Sequence, residues 1–339
     1  MADKRQHGRS AAGSRSVANA GWRRKTKPYF CAAMKPAYPQ RGVAIIMVML
    51  IVALATVLAA YLAQQQQLWQ RQVASQFDHA EARRLGIAGV DWARAVLADD
   101  ARANSTDHAG EMWTLRLPAM PVDNGEVIGI IEDRQGMFNL NSLVRNGVSS
   151  APDIAQFQRL LGLLDLPGEL ALALADWIDD DSETQYPGGA EDGYYLSLPQ
   201  PYRSANHPLV ELGELSRIKG FDQRNIERLR PFVSVLPLSP PINANFASAE
   251  VFAAVIPGMS LAEARVLVQQ RRGKPYKNLI DFQQRLHNKY NNLNINNFSV
   301  SSDFFWVTGR ARVAQSQVTT QALLQRNGGW PDIVWQNIQ

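Results

Sequence analysis

Seven carboxylates crowd the segment from Asp176 to Asp192, which reads DWIDDDSETQYPGGAED. No Lys or Arg occurs between Leu160 and Tyr202. Their mutual repulsion therefore has no local counter-charge, and a bound cation relieves it most simply. The segment holds neither Cys nor His, which disfavours soft and borderline metals, whereas all-oxygen ligation suits Ca²⁺. Asp179, Asp181 and Glu183 alternate as EF-hand carboxylates do, and Gly188-Gly189 lets the backbone curl round an ion. The sixth-position glycine of a twelve-residue EF loop is missing. On the residues alone, two readings stand side by side: a calcium site and a solvated acidic loop.

The same carboxylates admit a hydrolase, with Asp179 or Asp181 as general acid or base. The chain has no G-x-S-x-G and no H-E-x-x-H, the patterns that place a nucleophile or a zinc. Beyond the first 42 residues the histidines are His79, His108, His207 and His287, scattered among polar neighbours. They read as surface residues, and the chain reads as no enzyme with no small-molecule substrate.

The elements that would position the loop are helical. Leu166-Pro167-Gly168, Ile218-Lys219-Gly220 and Ile256-Pro257-Gly258 each precede an amphipathic run, a repeated helix–turn–helix pattern. The last two resemble helix-hairpin-helix units. In DNA-binding proteins such turns hold a phosphate, and Arg271, Arg272, Lys274 and Lys277 stand nearby. A membrane-tethered DNA-binding protein of the competence type is thus the second reading of function, and a compact packing unit the first. Strands are expected at Trp113–Leu117 and Glu126–Glu132, and again at Phe298–Val300, Phe304–Arg312, Val318–Arg326 and Trp330–Trp335. Asn327-Gly328-Gly329 marks a hairpin. Strands on both sides of residues 152–288 imply a sheet carrying an inserted, mostly helical region.

Val43 to Ala63 is a 21-residue run without a charge, long enough to span a hydrocarbon core of about 30 Å. Of 35 Lys+Arg, ten precede it, against one of 31 Asp+Glu, so the remaining chain holds 25 basic and 30 acidic residues. The positive-inside rule then places the basic tail in the cytoplasm and the acidic body in the periplasm. An acidic body argues against nucleic acid as a partner, because counterion release needs cations on the folded surface. Cys31, the only cysteine, lies in the tail, so the body has no disulfide. Val73, Phe77, Leu85, Ala88 and Trp92 form a helical stripe. One helix is expected from about Val43 to about Ala101, with nothing before Asn104 to break it.

Arg41-Gly42-Val43, a basic leader ending in Gly before an apolar helix, resembles a prepilin-peptidase site. DWIDDDSE…GGAEDGYYLSLPQPYRSANHPLVELGEL resembles the signature of protein K of type II secretion systems, a minor-pseudopilin family. The resemblance implies cleavage after Gly42 and N-methylation of Val43. Most pilins carry Glu at the fifth mature position. Met47 stands there, as in protein K members. It implies an α+β fold in which a long pilin-like N-terminal helix lies on an antiparallel sheet. The implied segments are a removed leader over 1–42, a transmembrane or filament-core helix over 43–63, and the pilin-like helix and first strands over 64–150. An inserted α-helical domain with the calcium loop follows over 151–290, then C-terminal strands over 291–339. Structural calcium, as one or two ions, would be held by Asp179, Asp181, Glu191, Asp192 and Asn206. Asp176, Asp180, Glu183 and the Tyr194 carbonyl are weaker ligands. The implied partners are the minor pseudopilins I, J and H, the major pseudopilin, the prepilin peptidase and the inner membrane. The implied role is to cap the periplasmic pseudopilus and help initiate its assembly.

Overall fold

The computed structural model describes residues 41–116, 118–122, 124–286, 290 and 293–339. The leader through residue 40, with Cys31, and His287 lie outside the described residues. The chain divides after Gln65 into two compact units. Helix α1 runs unbroken from Arg41 to Ala103, as the lack of a breaker before Asn104 predicts. Its apolar first part is exposed on every side, with Met49 and Leu54 each 69% accessible. A helix that is apolar all round belongs in lipid or among other helices.

Beyond Gln66, α1 buries Ala82, Gly86, Val90, Ala93 and Leu97, a face with spacings of four, four, three and four. The stripe expected from Val73 to Trp92 has the right period and the wrong phase. Phe77 is 72% and Trp92 43% exposed, because short side chains decide which face can lie close to a sheet. A Cβ on Gly86 would sit 2.3 Å from Thr320 Oγ1.

That sheet has five antiparallel strands: β1 (Met120–Val122), β2 (Gly125–Asp133), β3 (Phe304–Val313), β4 (Ser316–Gln325) and β5 (Asp332–Ile338), in that spatial order. It is a simple meander interrupted once. β2 and β3 pair from Gly125↔Val313 to Asp133↔Phe305, yet everything from Arg134 to Asp303 lies between them in sequence. Apolar residues of β2, β3 and β4 (Ile131, Phe305, Val307, Ala322, Leu324) pack on Val90, Ala93 and Leu97. The fold is α+β, as expected.

Three strand expectations are corrected. Trp113 lies in a 3₁₀ turn, Met112–Thr114. Its ring is buried against Phe246 and Phe305, and Nε1 donates to Glu111 Oε2 at 2.8 Å, an anchoring that an exposed edge strand would not allow. Phe298–Ser299 pairs with Ile242–Asn243 and not with the main sheet. Asn327-Gly328-Gly329 makes the predicted hairpin, with Gly328 at φ +72°, but β5 begins at Asp332.

The insert is therefore wider than 151–290, reaching from Arg134 to Asp303. It contains α2 (Ala151–Leu163), α3 (Leu170–Ile178), the single turn α4 (Asp192–Tyr195), α5 (Gln223–Leu229), α6 (Ala249–Val255), α7 (Leu261–Arg272) and α8 (Leu279–Arg285). One apolar core unites them, with Phe157, Leu160, Leu174, Trp177, Phe252 and Phe282 at its centre. Gly220 and Gly258 adopt φ of +82° and +74° in their turns, where a side chain would be strained. In the first turn Asp165, not Gly168, takes positive φ. Arg271 does not face outward. It donates to the Ala244 carbonyl at 2.6 Å and stacks over Phe252, so it serves packing.

A buried polar seam joins insert to sheet. Ser302 donates Oγ–H to Asp133 and its N–H to Asp107 Oδ2 (2.7 Å), while Asn243 Nδ2 reaches Ser302 Oγ at 2.7 Å. Burial raises the carboxyls of Asp107 and Asp133 to about 6. Close approach at Gly86 is testable. Gly86→Val should destabilise the chain by about 1–3 kcal/mol in chemical denaturation. Adding Thr320→Ala should recover part of the loss, a coupling that equal effects of Gly86→Val in both backgrounds would refute.

Candidate metal centre

Helix α3, LALALADWI, is apolar except at Asp176, and eight of its nine residues are buried. Both helix and loop are thereby fixed, because the helix cannot turn without exposing Leu170, Leu174 or Trp177. It stops at Asp179, whose ψ of 166° is extended, and the acidic loop leaves from there. The loop returns through Gly188, at φ +104°, and Gly189. A Cβ on Gly189 would stand 2.2 Å from Asp176 Oδ2, so only glycine lets the backbone close on that carboxylate.

The turn α4 follows Glu191, and its Tyr195 ring meets Trp177 edge to face at 5.0 Å and stacks on Tyr202 at 5.3 Å. The Tyr195 hydroxyl accepts the Lys219 N–H at 3.3 Å.

Asp179, Asp181 and Glu191 each bring a carboxylate oxygen within 4.8 Å of the others. Asp179 and Glu191 are 1% and 4% exposed, and Asp176 is fully buried. Each buried carboxylate has one oxygen occupied. Asp176 Oδ2 accepts from Gln185 N (3.1 Å), Asp179 Oδ2 from Ser149 Oγ (2.9 Å), and Glu191 Oε2 from Ser204 Oγ (3.0 Å). The other oxygens, Asp176 Oδ1, Asp179 Oδ1 and Glu191 Oε1, are enclosed and accept no hydrogen bond, and so is Asn206 Oδ1. An enclosed acceptor without a donor costs about 1–3 kcal/mol, and more when charged. Four on four neighbouring side chains is the donor set of a hard cation. Burial, with the neighbouring carboxylates adding to it, raises Asp176 to about 6 and Glu191 to about 7, and raises Asp179 as well.

Of the expected ligands, Asp179, Asp181, Glu191 and Asn206 converge, and Asn206 Nδ2 also donates to the Asp181 carbonyl at 3.2 Å. Asp192 turns aside: it accepts from Ser204 N at 3.0 Å and pairs with Arg203 at 3.5 Å. Among the weaker ones Asp176 belongs with the enclosed set. Asp180 is exposed, its N–H bound to the Gly147 carbonyl at 3.1 Å. Glu183 is exposed and donates its N–H to Asp181 Oδ1 at 2.7 Å. The Tyr194 carbonyl accepts from Ser197 N and Oγ. Ser149, Gln185 and Ser204, which orient the carboxylates, are invisible to sequence reasoning. Ser149 comes from a hairpin 30 residues away, and hydroxyls at that distance carry no spacing signal.

Models of type II secretion system (T2SS) protein K match residues 136–238 and 242–300. The chain is 33% identical over 298 residues to type II secretion system protein K of Pseudomonas aeruginosa, covering 85% of this chain and 89% of that one. It is 32% identical over 310 residues to protein K of Pectobacterium carotovorum, covering 85% and 93%. In structure it is similar to a chain of the GspK-GspI-GspJ complex from the enterotoxigenic Escherichia coli type 2 secretion system. That match has a TM-score of 0.70 at 23% identity over 79% of this chain and 99% of that one.

A cation would compete with protons for the enclosed oxygens, which would set a pH dependence. Without metal, the fold holds protons that the unfolded chain releases near pH 4, so metal-free stability should fall as pH rises from 5.5 to 7.5. The increment from added Ca²⁺ should run the opposite way, reaching about 2.7 kcal/mol at a hundredfold excess over Kd near neutral pH and shrinking at pH 5.5. Denaturation at both pH values, with and without chelator, checks it, and Asp179→Asn or Glu191→Gln should remove the calcium increment.

Proposed function

The chain belongs to the type II secretion system protein K family, and from that membership we propose that it is a minor pseudopilin that caps the tip of the periplasmic pseudopilus and helps start its assembly. The observation that carries the tip assignment is the placement of the insert. Residues 134–303 leave and re-enter between hydrogen-bonded neighbours β2 and β3, so the pilin-like sheet closes as if the insert were absent. Filament subunits built on α1 and this sheet could stack below such a subunit. A column in which every subunit carried so large an addition would clash.

Met47 supports the same reading. A buried filament subunit gains from a carboxylate at this depth to neutralise the amino terminus of the next subunit. A terminal subunit has no such neighbour above it. The leader's cations before the span support a periplasmic body, and Arg41-Gly42-Val43 supports processing by the prepilin peptidase with methylation of Val43.

Calcium is the ion that the donor set best suits. Asp179, Asp181 and Glu191, with Asp176 and Asn206, would hold it, and its role is structural: it replaces the missing hydrogen-bond donors and fixes the loop between α3 and α4. The partners are the minor pseudopilins I, J and H, with the major pseudopilin below.

Gold labelling of an epitope-tagged chain in sheared pseudopili tests the assignment. One label at one end is expected, and labels spaced along the shaft would contradict it.

A further inference from the structure

A second group of carboxylates lies apart from the acidic loop, where α1 ends. Asp100, Asp107 and Glu111 bring oxygens within 4.8 Å of one another. Asp100 sits in the last turn of α1, where the helix dipole is negative and repels anions. Asp107 and Glu111 follow on the segment that leaves it. Asp133 feels the charge of Asp107, and Asp303 feels that of Arg326.

The cation the described residues place among these acids is Arg326, and both of its Nη atoms are engaged. Nη1 reaches Asp100 Oδ2 at 3.2 Å, while Nη2 reaches Asp107 Oδ2 at 2.5 Å and the Ser302 carbonyl at 2.8 Å. Glu111 Oε1 takes Asn104 Nδ2 at 3.0 Å, and Oε2 takes His108 N and Trp113 Nε1. One oxygen is left out. Asp107 Oδ1 is enclosed and accepts no hydrogen bond, on a side chain 1% exposed. It belongs to the carboxylate that shares Arg326 with Asp100. Three carboxylates against one guanidinium leave negative charge inside the protein with an oxygen facing no donor. An arginine cannot fill that vertex, since it would meet Arg326. A small divalent ion can, because Asp107 Oδ1 is free, and Asp100 Oδ1 and Glu111 Oε1, each accepting one hydrogen bond from Asn104 Nδ2, keep a further lone pair.

We propose that Asp100, Asp107 and Glu111 form a second divalent-cation site, of oxygen-ligand, calcium-like chemistry, that fastens the end of α1 to the sheet end marked by Arg326. It is independent of the acidic loop. The two sites share no residue, and this one sits on the pilin-like half and not on the insert. Its few protein ligands predict weaker binding than the loop's, in the range of extracellular calcium modules, about 0.1–1 mM.

Trp113 supplies a specific readout, since its Nε1 touches Glu111 Oε2 at 2.8 Å. The full-length chain in detergent micelles is titrated with Tb³⁺, excited through tryptophan, and then with Ca²⁺ as competitor. Two classes of calcium-displaceable emission are expected, one through Trp177 at the loop and one through Trp113. Trp113→Phe should abolish the second class and leave the first. The loop variant Asp179→Asn/Glu191→Gln should do the reverse, so failure here and failure at the loop are told apart. Equilibrium dialysis with Ca²⁺ should find one ion fewer per chain in Asp107→Asn than in the unaltered chain. If circular dichroism shows that Asp107→Asn does not fold, Glu111→Gln and Asp100→Asn carry the same count. Emission unchanged by Trp113→Phe, or an ion count unchanged by the folded variants, overturns the proposal.

Discussion

A carboxylate oxygen shut inside a protein with nothing to accept from keeps its charge only against a penalty of several kcal/mol. Three such oxygens, with one amide oxygen, lie on side chains around the loop where α3 runs out. The surrounding structure is arranged so that they cannot separate. Leu170, Leu174 and Trp177 lock α3 in the insert's core, Gly189 brings the returning backbone against Asp176, and the packed rings of Trp177, Tyr195 and Tyr202 join α3 to the turn that follows Glu191. Ser149, Gln185 and Ser204 each hold one carboxylate oxygen, which aims the remaining one inward. A rigid cage of anions is stable only with its counter-charge, and the loop's own segment supplies none. Proton or metal must do so.

The cage matters to the pilin-like half because the insert grows out of it without altering it. β2 and β3 pair as though contiguous, and the seam through Asp107, Ser302, Asp133 and Asn243 lies just where the insert departs. The insert is thus tied to the sheet through buried hydrogen bonds and not through a flexible linker.

The grouping of the acidic loop was legible because its carboxylates are close in sequence and chemically extreme: seven of them without a cation announce themselves. The anchor, the single long helix and the late hairpin at Asn327-Gly328 were legible for the same reason, each being a local pattern. The phase of α1 was not. Counting apolar residues favoured Phe77 and Trp92, whereas the sheet selects Ala82, Gly86 and Ala93, whose merit is being small. Trp113 looked like part of a strand because aromatic residues favour strands, yet Glu111, Phe246 and Phe305 claim its ring. Arg271 read as a basic flank and is a half-buried residue that donates to the Ala244 carbonyl. Asp107 and Arg326 are separated by more than half the chain, and no spacing could have paired them.

We propose that a calcium ion completes the enclosed oxygens and thereby orders the insert's loop. Hydrogen–deuterium exchange on the full-length chain, with calcium and with chelator, measures that ordering segment by segment. The account predicts slowed exchange with calcium over residues 147–150, 176–195 and 202–207, while the amides of α7 and α8 stay unchanged. Identical exchange in those three segments under both conditions would contradict it.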